Sequence, residues 1–373
     1  MTETEIIPES KTHSSSDKSK VIPIVIPSYE PDERFPAILT DLNNAGLGPV
    51  VVVDDGSGDS YNVFFEQAEQ IIKPLGGVVL HHEVNKGKGR ALKTAFSYIL
   101  DNMPEASGCI TADSDGQHSV GCIKKCMDAL KDNPDSLILG VRDFSGEDVP
   151  FKSRAGNTLT VKVFGYLCGV KVSDTQTGLR GISREFMREL LDVEGERFEF
   201  ETRMLVVTKD RYKIVEVPIK TIYDSKENHQ THFNPVKDSI RIYKIFGIIF
   251  AKFMFASLSS AVIDLVLFQV FCKLLILFID TAVYVAVATV MARVLSAAYN
   301  YLINYKFVFN SGKKHATSFP RYVFLAVIQM SLSAVLVTLF VALFPTVPEL
   351  GFKIPVDIVL FLASYYIQRK FIY

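Results

Sequence analysis

The sequence predicts an α/β domain built on a mostly parallel sheet, followed by an all-α domain of four membrane-crossing helices. Two observations predict this. Over roughly the first two hundred residues short, wholly apolar runs alternate with amphipathic stretches, as in a parallel sheet covered on both faces. From Phe246 onward charge nearly vanishes: that segment holds 10 of the 40 Lys+Arg and 4 of the 41 Asp+Glu. The near-neutral total of −1 therefore conceals a first part of net −7 and a second of net +6.

Residues 1–20 are polar, rich in Ser, Lys and Glu, and carry no apolar core of a secretory signal, so they are expected to form a disordered tail. The run Val21–Pro27 reads as the first strand, and Phe35, Ile38, Leu39 and Leu42 give Asp32–Asn44 helical spacing. Four valines, Val50 to Val53, form the second strand and end in Asp54-Asp55-Gly56-Ser57-Gly58. A helix over Tyr61–Ile72, a strand at Val78–Leu80 and a helix from about Gly89 to Leu100 follow. Cys109-Ile110-Thr111-Ala112 is then a buried strand running into Asp113-Ser114-Asp115-Gly116-Gln117-His118, and Leu137–Val141 is another, ending beside Arg142. The α/β domain is expected over 21–235 and a short basic juxtamembrane segment over 236–245.

Beyond 246 the apolar stretches suit spans at about 248–273, 281–303, 322–344 and 353–371. The connection Asn304–Arg321 is basic, whereas Phe278–Asp280 and Pro345–Lys353 are poor in positive charge, which sets both termini and the α/β domain on the cytoplasmic side of a multi-pass cell-membrane protein. Asp264, Arg293, Asn300, Gln329, Asp357 and Gln368 inside the spans read as interhelical packing contacts, or as the lining of a path for lipid headgroups. Five cysteines show neither paired nor metal-ligand spacing, in keeping with a reducing compartment.

The chemistry-bearing segments all fall at strand ends, where such sheets bind ligands. Asp113 and Asp115, one residue apart, can hold a divalent ion against a diphosphate, and Mg²⁺ or Mn²⁺ both suit oxygen ligands. Asp54-Asp55 can bond a nucleotide or form a plain turn. Asn85-Lys86-Gly87-Lys88-Gly89-Arg90 offers main-chain N–H groups and cations to phosphate, without the order of a nucleotide-hydrolase phosphate loop. A metal–diphosphate site joined to a membrane domain points to transfer of a group from a soluble nucleotide to a lipid, and no nucleic acid is implied.

Taken in order, Pro27-Ser28-Tyr29-Glu30, Val53-Asp54-Asp55-Gly56-Ser57, Asn85-Lys86-Gly87-Lys88-Gly89, Ala112-Asp113-Ser114-Asp115-Gly116-Gln117 and Asp174-Thr175-Gln176-Thr177-Gly178-Leu179-Arg180 resemble the family 2 glycosyltransferases of GT-A fold. The nearest likeness is to the polyprenyl-phosphate hexosyltransferases, the dolichyl-phosphate mannose synthase group. The four-span tail, with Asn300 to Phe309 at its centre, resembles the GtrA membrane family. This resemblance implies that Pro27, Tyr29, Glu30 and Asp55 surround the nucleoside, with Lys88 in the loop that closes over it. It implies that Asp113, Asp115 and Gln117 take the metal and diphosphate, and that Glu201 is an acidic site residue. Ser114 and Gly116 stand where other members often have Ala and Leu.

The implied reaction is inverting transfer of one hexose from a nucleotide sugar (UDP-glucose, another UDP-hexose or GDP-mannose) to a polyprenyl phosphate, undecaprenyl or dolichyl. A lipid monophosphate is largely dianionic at pH 7, its second pKa being roughly 6, and needs cations to position it rather than a base. Arg142, Arg154 and Arg180 are the candidates, the first two favoured by the resemblance as acceptor-phosphate contacts. Asp174 would orient Arg180 or the sugar; if the acceptor were instead a sugar hydroxyl of a lipid-linked precursor, Asp174 or Glu201 would serve as base. With no tryptophan, the chain lacks the Gln-x-x-Arg-Trp element of processive members, so one sugar per lipid is expected. A rival reading makes the spans a flippase for a glycosylated lipid loaded by the soluble part. A homo-oligomer is compatible with all of these readings.

Overall fold

The computed structural model describes residues 21–142, 151–209, 211–220, 237–278, 284–309, 311, 313–344, 346–347 and 349–373. The expected tail at 1–20 and the histidine-bearing loop Asn228–His232 lie outside them. In chain order the elements are β1 (Ile24–Ser28), α1 (Arg34–Asn44), β2 (Val50–Asp54), α2 (Asn62–Ile72), β3 (Val78–His81), α3 (Lys88–Asn102), β4 (Gly108–Thr111), α4 (Val120–Asp132) and β5 (Ser136–Arg142). There follow α5 (Phe151–Cys168), β6 (Arg180–Ser183), α6 (Arg184–Leu191), α7 (Glu199–Val207), β7 (Lys213–Ile219), α8 (Lys237–Leu275), α9 (Tyr284–Ile303), α10 (His315–Leu343) and α11 (Glu349–Ile367). They divide into two compact units. One gathers the described residues up to 142, Thr177–Phe200 and those from Tyr212 to 220, while the other gathers 151–176, 201–211 and the C-terminal helices. The sequence suggested a single cut near 235.

The first unit is organised by a seven-stranded sheet in the order β3-β2-β1-β4-β6-β5-β7, parallel except where β6 runs against β4 and β5. Every residue of β1, β2 and β4 is buried, the signature of strands covered on both faces. The periodic residues of the flanking helices supply the cover: Phe35, Ile38, Leu39 and Leu42 from α1, Phe65, Ala68 and Ile72 from α2, and Ile123, Met127 and Leu130 from α4. Cys122 and Cys126 pack in the same core on one face of α4, as four-residue spacing requires. Ser119 caps that helix by accepting the N–H of Cys122.

The strand order reverses at β1, with β2 and β3 to one side and β4 to the other. The β1–β4 pairing stops at Val25–Thr111, whereas β1 stays paired with β2 through Ser28–Asp54. Val25 accepts from Ala112 on the β4 side, so two residues on Pro27 turns to that side a ring nitrogen without hydrogen. The ladder cannot continue there, and the two strands part at their carboxyl ends. Such a reversal is where doubly wound sheets bind ligands.

In the second unit the helices bear large exposed apolar side chains, among them Phe255, Leu277, Phe278 and Phe324. Tyr243–Leu275 and His315–Phe340 are long and apolar enough to cross a bilayer. Single π-helical turns, Asn304–Val308 and Gln368–Ile372, follow α9 and α11. Polar groups inside the helices pair with one another. Asn300 accepts from Asn304 Nδ2 at 2.8 Å and from Tyr322 Oη at 3.0 Å, and Ser333 Oγ donates to Asp357 at 2.7 Å. Asp264 on α8 accepts from Ser296 Oγ at 2.8 Å and meets Arg293 on α9 at 3.2 Å. Residues 151–168 join this unit through tyrosines: Tyr166 Oη donates to the Leu362 carbonyl at 2.8 Å, and Tyr365 Oη donates to the Leu167 carbonyl at 2.7 Å.

Candidate functional site

Three strand ends of the first unit carry the candidate site. After β1 the chain turns through Tyr29 and Glu30, and Glu30 holds φ +47, a left-handed conformation rare outside glycine and stored where surrounding contacts enforce it. Those contacts are at hand. Ser57 Oγ, from the turn after β2, accepts the Glu30 N–H at 2.8 Å, and the Ser28 carbonyl accepts the Asp55 N–H at 2.8 Å. Ser57 is itself fixed by donating its N–H to Asp54 Oδ1 at 2.9 Å. The hydrogen bond between Tyr29 and Glu30, then burial, pushes the Tyr29 phenol up.

Asp55 is buried and uses its carboxylate inward. Oδ1 lies 2.8 Å from His82 Nδ1 and accepts the Lys86 N–H at 3.0 Å; Oδ2 accepts the Gly87 N–H at 2.7 Å. The expectation placed Asp55 against the nucleoside. Here its carboxylate staples the glycine-rich loop to the end of β2, and the loop's cations are set by that staple. His82 passes the constraint on, its Nε2 lying 2.9 Å from Thr94 Oγ1 on α3. Gly87 holds φ +102, and a Cβ there would collide with the Glu196 carbonyl, so only glycine permits this approach at the start of α3.

The staple delivers Lys88 to Asp113. Lys88 Nζ donates to Asp113 Oδ1 at 2.6 Å, and His118 Nε2 stands 3.5 Å from Oδ2. Burial pushes the Asp113 carboxyl up, but the Lys88 ammonium and His118 outweigh it and hold it well below the usual carboxylate range. Asp115 goes the other way, pushed up by burial and then by the Asp113 charge; its Oδ1 accepts the Gln117 N–H at 3.1 Å. Two carboxylates thus share a site that holds one ammonium. His118 is buried, and apart from the 3.5 Å approach to Asp113 neither ring nitrogen has a hydrogen-bond partner among the described residues. This surplus of oxygen-borne negative charge fits a divalent cation. Among the described residues no set of three His, Cys, Asp or Glu side chains converges as a metal site. Asp113 and Asp115 would therefore hold only part of a Mg²⁺ or Mn²⁺ shell, as is usual where phosphate oxygens and water complete it.

Gly178 closes the back of this site. A Cβ there would overlap the Asp113 carboxylate, while its carbonyl accepts from Thr111 Oγ1 at 2.7 Å. Asp113 is pinned by Lys88 and cannot give way freely. Gly178→Ala is expected to lower turnover about tenfold or more while leaving the circular dichroism spectrum unchanged, because a displacement near 1 Å at a reacting site costs on the order of a hundredfold.

Of the other sequence-predicted residues, Arg142 ends β5. Arg180 begins β6, is 1% exposed and donates Nε–H to the Thr177 carbonyl at 2.9 Å. Asp174 and Glu201 are buried in the second unit, where Asp174 Oδ1 accepts the Gln176 N–H at 3.0 Å. Arg154 lies in α5 of that unit, its side chain outside the described residues. Sequence reasoning missed His82, His118 and Ser57. His118 had a signal, standing directly after the acidic motif, whereas His82 becomes visible only when β3 is laid beside β2.

Residues 24–191 match the family model described as glycosyl transferase family 2, and residues 252–373 match that described as GtrA/DPMS, transmembrane domain. An uncharacterized protein of Methanocaldococcus jannaschii is 30% identical over 205 residues, 54% of this chain and 81% of that protein. The UDP-N-acetylglucosamine–dolichyl-phosphate N-acetylglucosaminyltransferase of Methanococcus voltae is 27% identical over 219 residues, 55% of this chain and 86% of that one. The dolichol-phosphate mannosyltransferase of Pyrococcus furiosus is 27% identical over 258 residues, 65% and 70% of the two chains.

Proposed function

Because the chain belongs to glycosyl transferase family 2 and ends in a GtrA/DPMS transmembrane domain, we propose that this glycosyltransferase moves one hexose from a nucleoside diphosphate sugar to a polyprenyl phosphate at the cytoplasmic membrane face, with inversion. The observation that carries this reading is the Lys88–Asp113–Asp115 cluster at the parting of β1 and β4, beside a glycine loop anchored by Asp55. The names of the relatives favour a dolichyl-type acceptor and leave the sugar open between an N-acetylhexosamine and mannose.

In this reading the acceptor phosphate oxygen forms a bond to the anomeric carbon as the bond from that carbon to the diphosphate oxygen breaks, and the diphosphate leaves with the electron pair. The acceptor arrives ionised, so no residue need take a proton. When bound, a divalent cation at Asp113 and Asp115 would offset charge on the departing diphosphate. The chain's own part is to orient. Asp55 fixes the loop that places Lys88, and Lys88 brings a positive charge to the diphosphate position before substrate arrives, so little reorganisation is left for the reaction. The turn at Tyr29 and Glu30, locked to the β2 end by Ser57, would shape the nucleoside side. The proposed roles of Arg142, Arg154, Asp174, Arg180 and Glu201 rest on the motifs alone.

The test is mass spectrometry of the lipid product formed by the full-length chain in detergent from a mixture of UDP-hexoses, UDP-N-acetylhexosamines and GDP-mannose with a short polyprenyl phosphate. One glycosyl phosphate lipid is expected, lost on chelation and restored by Mg²⁺ or Mn²⁺. Product with polyprenol lacking phosphate, or turnover indifferent to chelation, would overturn the reading.

A further inference from the structure

Arg369 in the helical unit is 6% exposed, and its Nε and Nη1 are buried with no hydrogen-bond partner among the described residues. Three tyrosine rings surround the guanidinium carbon, Tyr366 at 5.5 Å, Tyr365 at 5.8 Å and Tyr166 at 6.0 Å, with Tyr166 and Tyr366 stacked nearly parallel. Aromatic faces stabilise the charge of a guanidinium but do not replace acceptors for its five N–H groups. A desolvated cation with open donor edges is among the most costly arrangements in a protein interior.

The Nε edge of the guanidinium lies beside Gly169. Gly169 follows α5 with φ +82, and a Cβ at that position would stand 3.4 Å from Arg369 Nε and 3.4 Å from Lys209 Cε. The Arg369 Nε edge and the Cε end of Lys209 therefore both lie against this glycine. Planar N–H forks with an ammonium beside them match the oxygens of a tetrahedral anion. The surroundings favour a lipid-borne anion, since Arg369 lies just beyond the last apolar helix, near Lys370 and the Arg321 that donates to the Phe371 carbonyl at 3.1 Å.

We propose that Arg369, with Lys209 across Gly169, is a binding site for a phosphate group built from the second unit's own residues. The site does not depend on the transferase reading; within that reading it gives the membrane domain a grip on a phospholipid-like or acceptor headgroup.

The chain has no tryptophan, so Tyr366→Trp places a single reporter against the guanidinium. Full-length Tyr366→Trp protein in non-ionic detergent is titrated, without nucleotide sugar, with short-chain polyprenyl phosphate, phosphatidic acid, inorganic phosphate and uncharged polyprenol. At least one phosphate probe is expected to give a saturable fluorescence change that polyprenol does not. Arg369→Gln in the same background should weaken it about tenfold to a hundredfold, the loss expected for hydrogen bonds to a charged group. Lys209→Gln should weaken it less, and it carries the same test should Arg369→Gln fail to fold. A response to polyprenyl phosphate alone identifies acceptor capture, a response to phosphatidic acid a bound membrane lipid, and a response to inorganic phosphate a headgroup site that needs no chain. No saturable response to any of the three, an equal response to polyprenol, or midpoints unmoved in both variants would overturn the proposal. Because no donor is present, loss of transferase activity has no bearing on the result.

Discussion

Asp115→Asn is expected to lower turnover by two to three orders of magnitude, with KM for the nucleotide sugar changed far less, and without loss of stability. The size follows from removing one preorganised charge at the position where the leaving diphosphate develops its own. The stability expectation comes from the opposite directions of the two carboxyls. Asp115 is pushed up by burial and by Asp113, so the folded cation-free protein holds its proton more tightly than the unfolded chain does. Its ionisation therefore costs stability as pH rises through and above the ordinary carboxylate range. The Asn variant escapes this cost, and its thermal midpoint in chelator should equal or exceed that of the parent at neutral pH. The difference should shrink in acid, where Asp115 is protonated in both states. A variant that loses both turnover and stability would indicate a structural carboxylate instead.

Asp55→Asn should have the second largest effect, and a different character. The carboxylate accepts two backbone N–H groups and meets His82, all within 3.0 Å. An amide must turn its own N–H₂ toward at least one of these donors, leaving buried groups unpaired at a cost of about 2–4 kcal/mol. The loop from Asn85 to Gly89 would come free, and Lys88 with it. Proteolysis within that loop should accelerate, thermal stability should fall, and turnover should drop tenfold or more even at saturating cation. Retention of the parent's protease resistance would show that the loop does not depend on this staple.

Much of this site was legible in the sequence because its ingredients are local. Four consecutive valines ending in Asp54-Asp55, and Cys109-Ile110 ending in Asp113-Ser114-Asp115, announce strand ends with carboxylates whatever the tertiary arrangement. The mostly parallel sheet followed from the same alternation of apolar runs and amphipathic helices. Relations across the fold were not legible. The antiparallel insertion of β6 has no local signal in Arg180-Gly181-Ile182-Ser183, and the inward use of Asp55 depends on His82 and Lys86, some thirty residues away. Arg369 was passed over for the same reason: a basic residue at a span's end reads as a solvated anchor until three tyrosines close around it.

The ion pair between Asp264 and Arg293 bears on how the chain reaches its membrane. Either residue alone in hydrocarbon costs about 3 kcal/mol on insertion scales, and each belongs to a different helix. Were both helices to enter hydrocarbon, entry as one hairpin with the acid already paired with its base would cost less than entry of α8 alone.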